Sequence, residues 1–153
     1  MNKLSILFLI LFALSGCGVI PQQGIPVELK QISKDALDYG DFYLGEYSKR
    51  YAASGRQSDN TLPMQTGYEL ISEEVNKFHS ITERLYPKVS KSQVEVIQKC
   101  DSSLTGYYAE YLFLSSTLLQ YNTPIANEPE SNVEERLNKF NNSRESVIKD
   151  CKL

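Results

Sequence analysis

The sequence contains no tryptophan, a single histidine and three cysteines among its 153 residues, and 19 acidic side chains outnumber 16 basic ones. A net charge of −3 without a cluster of lysine and arginine excludes a polycationic nucleic-acid binder, so we expect no nucleic-acid partner. The histidine, His79, has no partner at metal-binding spacing and is predicted to lie on the surface. The length predicts one domain, and the odd number of cysteines needs an explanation.

Motifs that carry catalysis are also missing from the sequence. It has no glycine-rich phosphate loop, no Gly-x-Ser-x-Gly and no Cys-x-x-Cys-His for covalent haem. Asp35, Asp38 and Asp41 are close enough along one predicted helix to bind a hard cation or to act as acid and base. Their face lies opposite an apolar stripe, however, and is predicted to be solvated. We therefore expect neither an enzyme nor a bound metal.

The first sixteen residues have the pattern of a secretory signal peptide. Lys3 supplies the only early positive charge, and an uninterrupted apolar run from Ile6 to Leu14 follows it. These nine residues are far fewer than the ~20 that a membrane-spanning helix needs. A charged start, a short apolar region and small residues are typical of an export signal that is absent from the mature protein. Residues 1–16 are therefore predicted to be cleaved.

The sequence Leu14-Ser15-Gly16-Cys17 ends this segment and resembles the lipobox of bacterial lipoproteins. The resemblance implies that Cys17 receives diacylglycerol and becomes the first residue of the mature chain. We expect no cofactor besides this covalent lipid. In enteric lipoproteins an aspartate after the cysteine favours the inner membrane. Gly18 at that position therefore implies an outer-membrane anchor facing the periplasm. An ordinary signal peptide with an incidental cysteine is the alternative.

The two remaining cysteines, Cys100 and Cys151, are predicted to form a disulfide. An exported chain meets oxidising conditions, in which paired thiols are favoured over free ones. The positions of the two cysteines average to 125.5, while the loop between the third and fourth predicted helices is centred near residue 126. The cysteines would therefore lie at the same height in an antiparallel hairpin. Two buried free thiols are the alternative.

Apolar residues of the mature chain recur at the spacing of amphipathic helices, and no segment shows the alternation of a strand. Residues 17–27 are predicted to form a tether from the lipid. Gly40 and Gly45 lower helix propensity and allow a bend in the first helix. Helices joined by short links predict an all-α, antiparallel, up-down-up-down four-helix bundle over residues 28–153. The predicted helices run from Val27 to Ala53, Pro63 to Pro87, Ser90 to Pro124 and Ser131 to Cys151.

All ten tyrosines lie in the mature chain. Because tyrosine joins an apolar ring to a polar tip, it suits both bundle edges and recognition surfaces. We favour a tyrosine-rich core. The alternative is a groove between helices one and three that binds a partner helix, a peptide or an amphipathic ligand. The candidate binding face consists of Tyr39, Tyr43, Tyr47, Tyr51, Tyr107, Tyr108 and Tyr111.

These patterns predict the orientation of the protein on the membrane and the kind of partner that it binds. If helix one rises from the lipid, loops 54–62 and 122–131 face away from the membrane. We expect a lipoprotein that contacts an envelope protein there, as an assembly accessory, an inhibitor or an immunity-type factor. A binding module for an amphipathic ligand or cell-wall fragment is the alternative. The residues from Tyr107 to Leu114 are apolar almost all round their helix, which predicts a central helix or an additional contact surface.

Overall fold

Four α-helices make up most of the structure, a computed structural model that describes residues 24–54, 62–121 and 130–153. No strand occurs in these ranges, and each helix ends within three residues of its predicted boundary. The all-α antiparallel bundle is therefore confirmed, while the predicted lipobox and most of the predicted tether lie outside the described residues. The helices are α1 (Val27–Ser54), α2 (Leu62–Leu85), α3 (Lys91–Tyr121) and α4 (Glu130–Cys151), with a 3₁₀ turn at Tyr86–Lys88.

The helices pair as two hairpins, in which α1 packs along α2 and α3 packs along α4. The contact between the hairpins is made mainly by α2 and α3, whereas α1 touches α4 at few positions. This arrangement places α1 and α3 diagonally across the bundle. Side chains that join these two helices must therefore cross its centre.

Aromatic rings fill the middle of the bundle. Tyr107, Tyr111, Phe78 and Phe140 are the largest fully buried side chains. The ring centroid of Phe140 lies 5.2 Å from that of Tyr107 and 5.9 Å from that of Tyr111. Aliphatic side chains from all four helices surround these rings, and the fully buried ones include Leu29, Ile71, Ile97, Leu104, Leu114 and Val147.

A disulfide joins Cys100 in α3 to Cys151 in α4, with an S–S distance of 2.04 Å and a Cα–Cα distance of 4.7 Å. Both cysteines are fully buried. The hydroxyl oxygen of Ser33 in α1 lies 3.6 Å from the Cys100 sulfur, so three helices meet at the bond. The predicted pairing at matched heights of a helical hairpin is confirmed.

The first residues of α1 lie at the same end of the bundle as the disulfide. Lys30 Nζ donates a hydrogen bond of 2.7 Å to the carbonyl of Lys152, just beyond α4. Gln93 Nε2, in the first turn of α3, donates to the carbonyl of Gly24 at 3.2 Å. We call this the tether end, and the opposite end the distal end. The tether end comprises residues 24–34, 81–95 and 146–153.

Candidate functional site

The tyrosines of the predicted binding face divide between the core and the surface. Tyr107 and Tyr111 are fully buried, and Tyr47 is also buried. Tyr107 and Tyr111 fill the space between the diagonal helices α1 and α3, so the predicted groove between these helices does not form in the described residues. The side chain of Tyr51 lies outside the described part. The half-buried members are Tyr39, Tyr43 and Tyr108.

Glycines of α1 and α2 receive the hydroxyl ends of the two buried tyrosines. A Cβ atom built on Gly40 would lie 1.8 Å from the Tyr107 hydroxyl oxygen, and one on Gly67 would lie 2.1 Å from that of Tyr111. The missing side chains thus let two long residues of α3 reach across the core. The sequence interpretation of Gly40 as the site of a bend missed this role. Its position one turn after the buried Ala36, on the core face, was the available signal.

The buried phenols are neutral groups of the core. The pKa values of Tyr107 and Tyr111 are raised far above the ordinary value for tyrosine. Burial is the main cause for both residues. The Tyr111 hydroxyl donates to the Met64 sulfur at 3.7 Å. The Tyr107 hydroxyl is buried and forms no hydrogen bond within the described residues. Both phenols therefore keep their protons at neutral pH and act in packing.

A groove lined by tyrosine does exist, but it lies between α2 and α3. Tyr68 and Tyr108 stack there with ring centroids 5.0 Å apart and an interplanar angle of 21°. The Tyr108 hydroxyl donates to that of Tyr68, and this hydrogen bond raises the pKa of Tyr68. Tyr68 could not be singled out from the sequence, because its neighbour belongs to another helix. The groove has a volume of about 330 Å³ and is lined by Met64, Gln65, Tyr68, Leu112, Ser115, Ser116 and Leu119.

One face of α3 exposes apolar side chains beside this groove. Leu112, Phe113 and Leu119 are 41%, 48% and 39% exposed, although each is a large apolar residue. Ser116 borders both this groove and a second one, between α3 and α4. At the start of α2, Leu62 is also exposed, at the same end of the bundle. We call Leu62, Leu112, Phe113, Ser116 and Leu119 the distal patch.

The distal patch explains the long apolar run in α3. Tyr107, Tyr111 and Leu114 are fully buried, while Leu112 and Phe113 point outward. The segment is thus at once part of the core and an exposed apolar surface. On its α4 side, the guanidinium carbon of Arg136 lies 5.1 Å from the Phe113 ring centroid. Such a cation–π contact contributes about 0.5–1 kcal/mol at an exposed site and holds the guanidinium over the Phe113 ring.

The carboxylates of α1 do not converge on a common point. Arg144 binds Asp41 through two nitrogens, at 2.7 Å and 3.0 Å, and so joins α4 to α1. Lys34 pairs with Asp38 at 2.9 Å, and a glutamine one turn earlier donates to Asp35. Each carboxylate therefore has its own partner. The three aspartates were predicted to lie on a solvated face, but the bridge from Arg144 joins helices distant in sequence and was not predicted.

His79 lies at the exposed edge of the contact between α2 and α3. Its Nε2 atom is 2.8 Å from Asp101 Oδ1, and its side chain is 43% exposed. Its predicted position on the surface is confirmed, with an acidic partner from α3 added. Across the described ranges, no three His, Cys, Asp or Glu side chains form a group that could hold a metal ion.

Comparisons with known proteins do not assign the chain to a family. No family model matches it, and neither a curated protein nor a solved structure is significantly similar to it. Among the residues that the structure describes, no helix has the length and apolar character needed to cross a bilayer. The indications of function are therefore the chemistry of the distal patch and of the groove beside Tyr68.

Proposed function

We propose that this chain is a bacterial lipoprotein, anchored in the outer membrane through a lipid on Cys17, that binds another envelope protein in the periplasm. The distal patch carries this proposal, because it exposes large apolar side chains on one face of a helix that is otherwise well packed. The lipobox resemblance supports the anchor. Catalysis, a metal, a nucleic acid and any cofactor besides the lipid form no part of the proposal.

The position of the distal patch suits a partner in the periplasm. At 1.5 Å per residue along α3, its residues stand about 30–40 Å above the tether end. The chain between Cys17 and Gly24 can span at most about 25 Å, so the tether end stays near the bilayer. A partner would therefore contact the patch near the distal end, which is the part of the bundle furthest from the membrane. Assembly accessories, inhibitors and immunity-type factors all work through such contacts.

The groove beside Tyr68 supports a second candidate function, binding of a small amphipathic ligand or cell-wall fragment. Its volume of about 330 Å³ is at the lower end of the range for ligand pockets. Leu112 lines this groove, whereas Phe113 lines the neighbouring groove between α3 and α4, beside Arg136 and beyond Ser116. A protein that covers the patch contacts both residues, while a small ligand in the groove contacts only Leu112. The two candidates therefore predict different effects of changes at these positions.

The anchor predicts a clear result for Cys17→Ser. This variant is expected to lose the added mass of the lipid and to leave the outer-membrane fraction, because the thiol that receives diacylglycerol is absent. Intact-mass spectrometry and membrane fractionation measure both effects. Ser15→Ala is the matched control, since a small residue is kept at that position of the lipobox. Full lipid mass in the Cys17→Ser protein would contradict the anchor.

Site-specific photo-crosslinking tests the contact surface. A photo-crosslinking amino acid in place of Ser116 is expected to form a covalent adduct with one envelope protein in intact cells. The same amino acid in place of Gln98 is the control, because Gln98 is exposed on the same face of α3, five helical turns nearer the tether end. The adduct from position 116 should disappear with either Leu112→Glu or Phe113→Glu.

Three results would decide between the alternatives. Equal adducts from positions 116 and 98 would contradict a contact centred on the distal patch. An adduct that survives both glutamate substitutions would contradict a contact made through its apolar side chains. Bound lipid or glycan that is lost with Leu112→Glu but kept with Phe113→Glu would favour the small-ligand function.

A further inference from the structure

The charges of the bundle are unevenly distributed between its two ends. The tether end carries seven basic and four acidic side chains, a net charge of +3. The rest of the described residues carry seven basic and thirteen acidic side chains, a net charge of −6. A chain that is acidic as a whole therefore has one basic end. The acidic remainder comprises residues 35–54, 62–80, 96–121 and 130–145.

Four of the lysines at the tether end are available to bind something outside the chain. Lys88, Lys91, Lys149 and Lys152 are exposed, and none of them forms a side-chain ion pair with another described residue. They come from the 3₁₀ turn, the first turn of α3 and the end of α4. Because three separate segments contribute, the cations are distributed around the tether end rather than along one helix.

Exposed apolar side chains accompany these lysines. Val27, the first residue of α1, is 74% exposed, and Leu153, just after α4, is 41% exposed. Both line a groove of about 530 Å³ between α1 and α4, together with Ile148. A surface that combines lysines with exposed aliphatic side chains matches the charged headgroups and upper acyl region of a bilayer.

The length of the tether limits how the domain can be oriented. The lipid on Cys17 lies at most about 25 Å of extended chain from Gly24, whereas α3 alone is about 46 Å long. The bundle can therefore stand on its tether end or lie on its side, but it cannot stand inverted on its distal end. Lying down would press the acidic sides of the helices against anionic headgroups. Charge thus favours the upright orientation.

We infer that the tether end is a second membrane-binding surface, which docks the domain upright on an anionic bilayer. This inference rests on the proposed lipid anchor and goes beyond it, because an anchor alone would leave the domain free to tumble. Lysines at the rim attract anionic phospholipid headgroups, and Val27 and Leu153 enter the headgroup region. Docking holds the distal patch at a fixed height and turns it toward the periplasm.

The absence of tryptophan allows a direct test with the full mature, lipidated protein. Leu153→Trp places a single tryptophan at the tether end, and Leu62→Trp places one at an exposed site of the distal end. In vesicles of equal parts phosphatidylcholine and phosphatidylglycerol, we expect the emission of Trp at 153 to shift to shorter wavelength. Brominated lipid should remove most of this emission. Emission at position 62 should change in neither respect.

Charge reversal tests the role of the lysines. Lys88→Glu/Lys91→Glu should abolish both changes at position 153, while Lys49→Glu/Lys139→Glu, with the same change in net charge, should leave them intact. Vesicle flotation of every variant reports the anchor separately. If the protein floats with the vesicles but the emission at position 153 changes no more than that at position 62, the docking surface is overturned and the anchor is retained. Failure of all variants to float would overturn the anchor and the docking inference together.

Discussion

Loss of the Cys100–Cys151 disulfide is expected to lower the free energy of unfolding by about 4 kcal/mol. The bond closes a loop with a sequence separation of 51 residues, which includes most of α3, all of α4 and their connection. Without it, the unfolded chain gains the conformational freedom that this loop had lost. Because a domain is typically stable by only about 5–15 kcal/mol, the change is a large fraction of the total.

The packing of α4 indicates that this helix would be the first to lose stability without the disulfide. Helix α4 contacts mainly α3 and touches α1 at few positions, and the disulfide ties its C-terminal end to α3 in addition to the backbone connection. We expect the amides of α4 to lose protection from hydrogen exchange before those of α1 and α2. Urea unfolding of the oxidised protein, the reduced protein and Cys100→Ser/Cys151→Ser measures the free energy.

The double variant separates the effect of the bond from that of the reductant. It should unfold at a urea concentration close to that of the reduced wild-type protein and well below that of the oxidised protein. The proposed lipid anchor is unaffected, since Cys17 is unchanged. The same unfolding midpoint for the oxidised and reduced proteins would contradict the prediction.

The helices and the disulfide could be predicted because local information determines them. In α2, for example, Ile71, Val75 and Phe78 follow one another at the spacing of a helix face, and all three are buried. Proline at position 87 stops the α-helix, and the chain enters a 3₁₀ turn there. The pairing of Cys100 with Cys151 followed from the hairpin, which needs only the order of the helices.

The candidate site could not be predicted to the same extent, because it depends on which helices are neighbours. Tyr43 and Tyr107 have similar positions on their own helices, yet Tyr43 is half-buried and Tyr107 is fully buried. The difference arises because the hydroxyl end of Tyr107 reaches across the core to Gly40, whereas Tyr43 approaches Gly67 only with its Cβ atom. Likewise, the groove beside Tyr68 exists because α2 packs against α3. A periodic pattern identifies a buried face but does not identify its partner.

Glycine to alanine changes in α1 and α2 provide the test of this packing. Alanine normally stabilises a helix by about 0.5–1 kcal/mol relative to glycine. At Gly40 we expect the opposite sign, a loss of about 1–3 kcal/mol, because the new methyl group would overlap the Tyr107 hydroxyl. The two atoms would be only 1.8 Å apart. The Tyr107 ring packs on Phe140 inside the core, so it has little space in which to retreat.

Gly67→Ala is expected to destabilise the bundle at least as much. A methyl group there would lie 2.1 Å from the Tyr111 hydroxyl and 2.8 Å from the Cβ atom of Tyr43. A Cβ atom is fixed to the backbone, so relief of this contact requires α1 and α2 to move apart. Gly45→Ala and Gly106→Ala are the controls, since a Cβ atom at either position has nothing within 4 Å. Both controls should gain stability in urea unfolding.

Tyr107→Phe shows whether the hydroxyl is the cause of the effect at Gly40. The phenol oxygen is buried without a hydrogen bond in the described part of the chain, so its removal is expected to leave stability unchanged or to raise it. In the Tyr107→Phe protein, Gly40→Ala should cost less than in the wild-type protein. Some cost should remain, because the ring carbon that carried the hydroxyl lies 2.9 Å from the added methyl group. Strictly additive effects in this double-mutant cycle would mean that the Tyr107 hydroxyl does not contact the methyl group added at position 40.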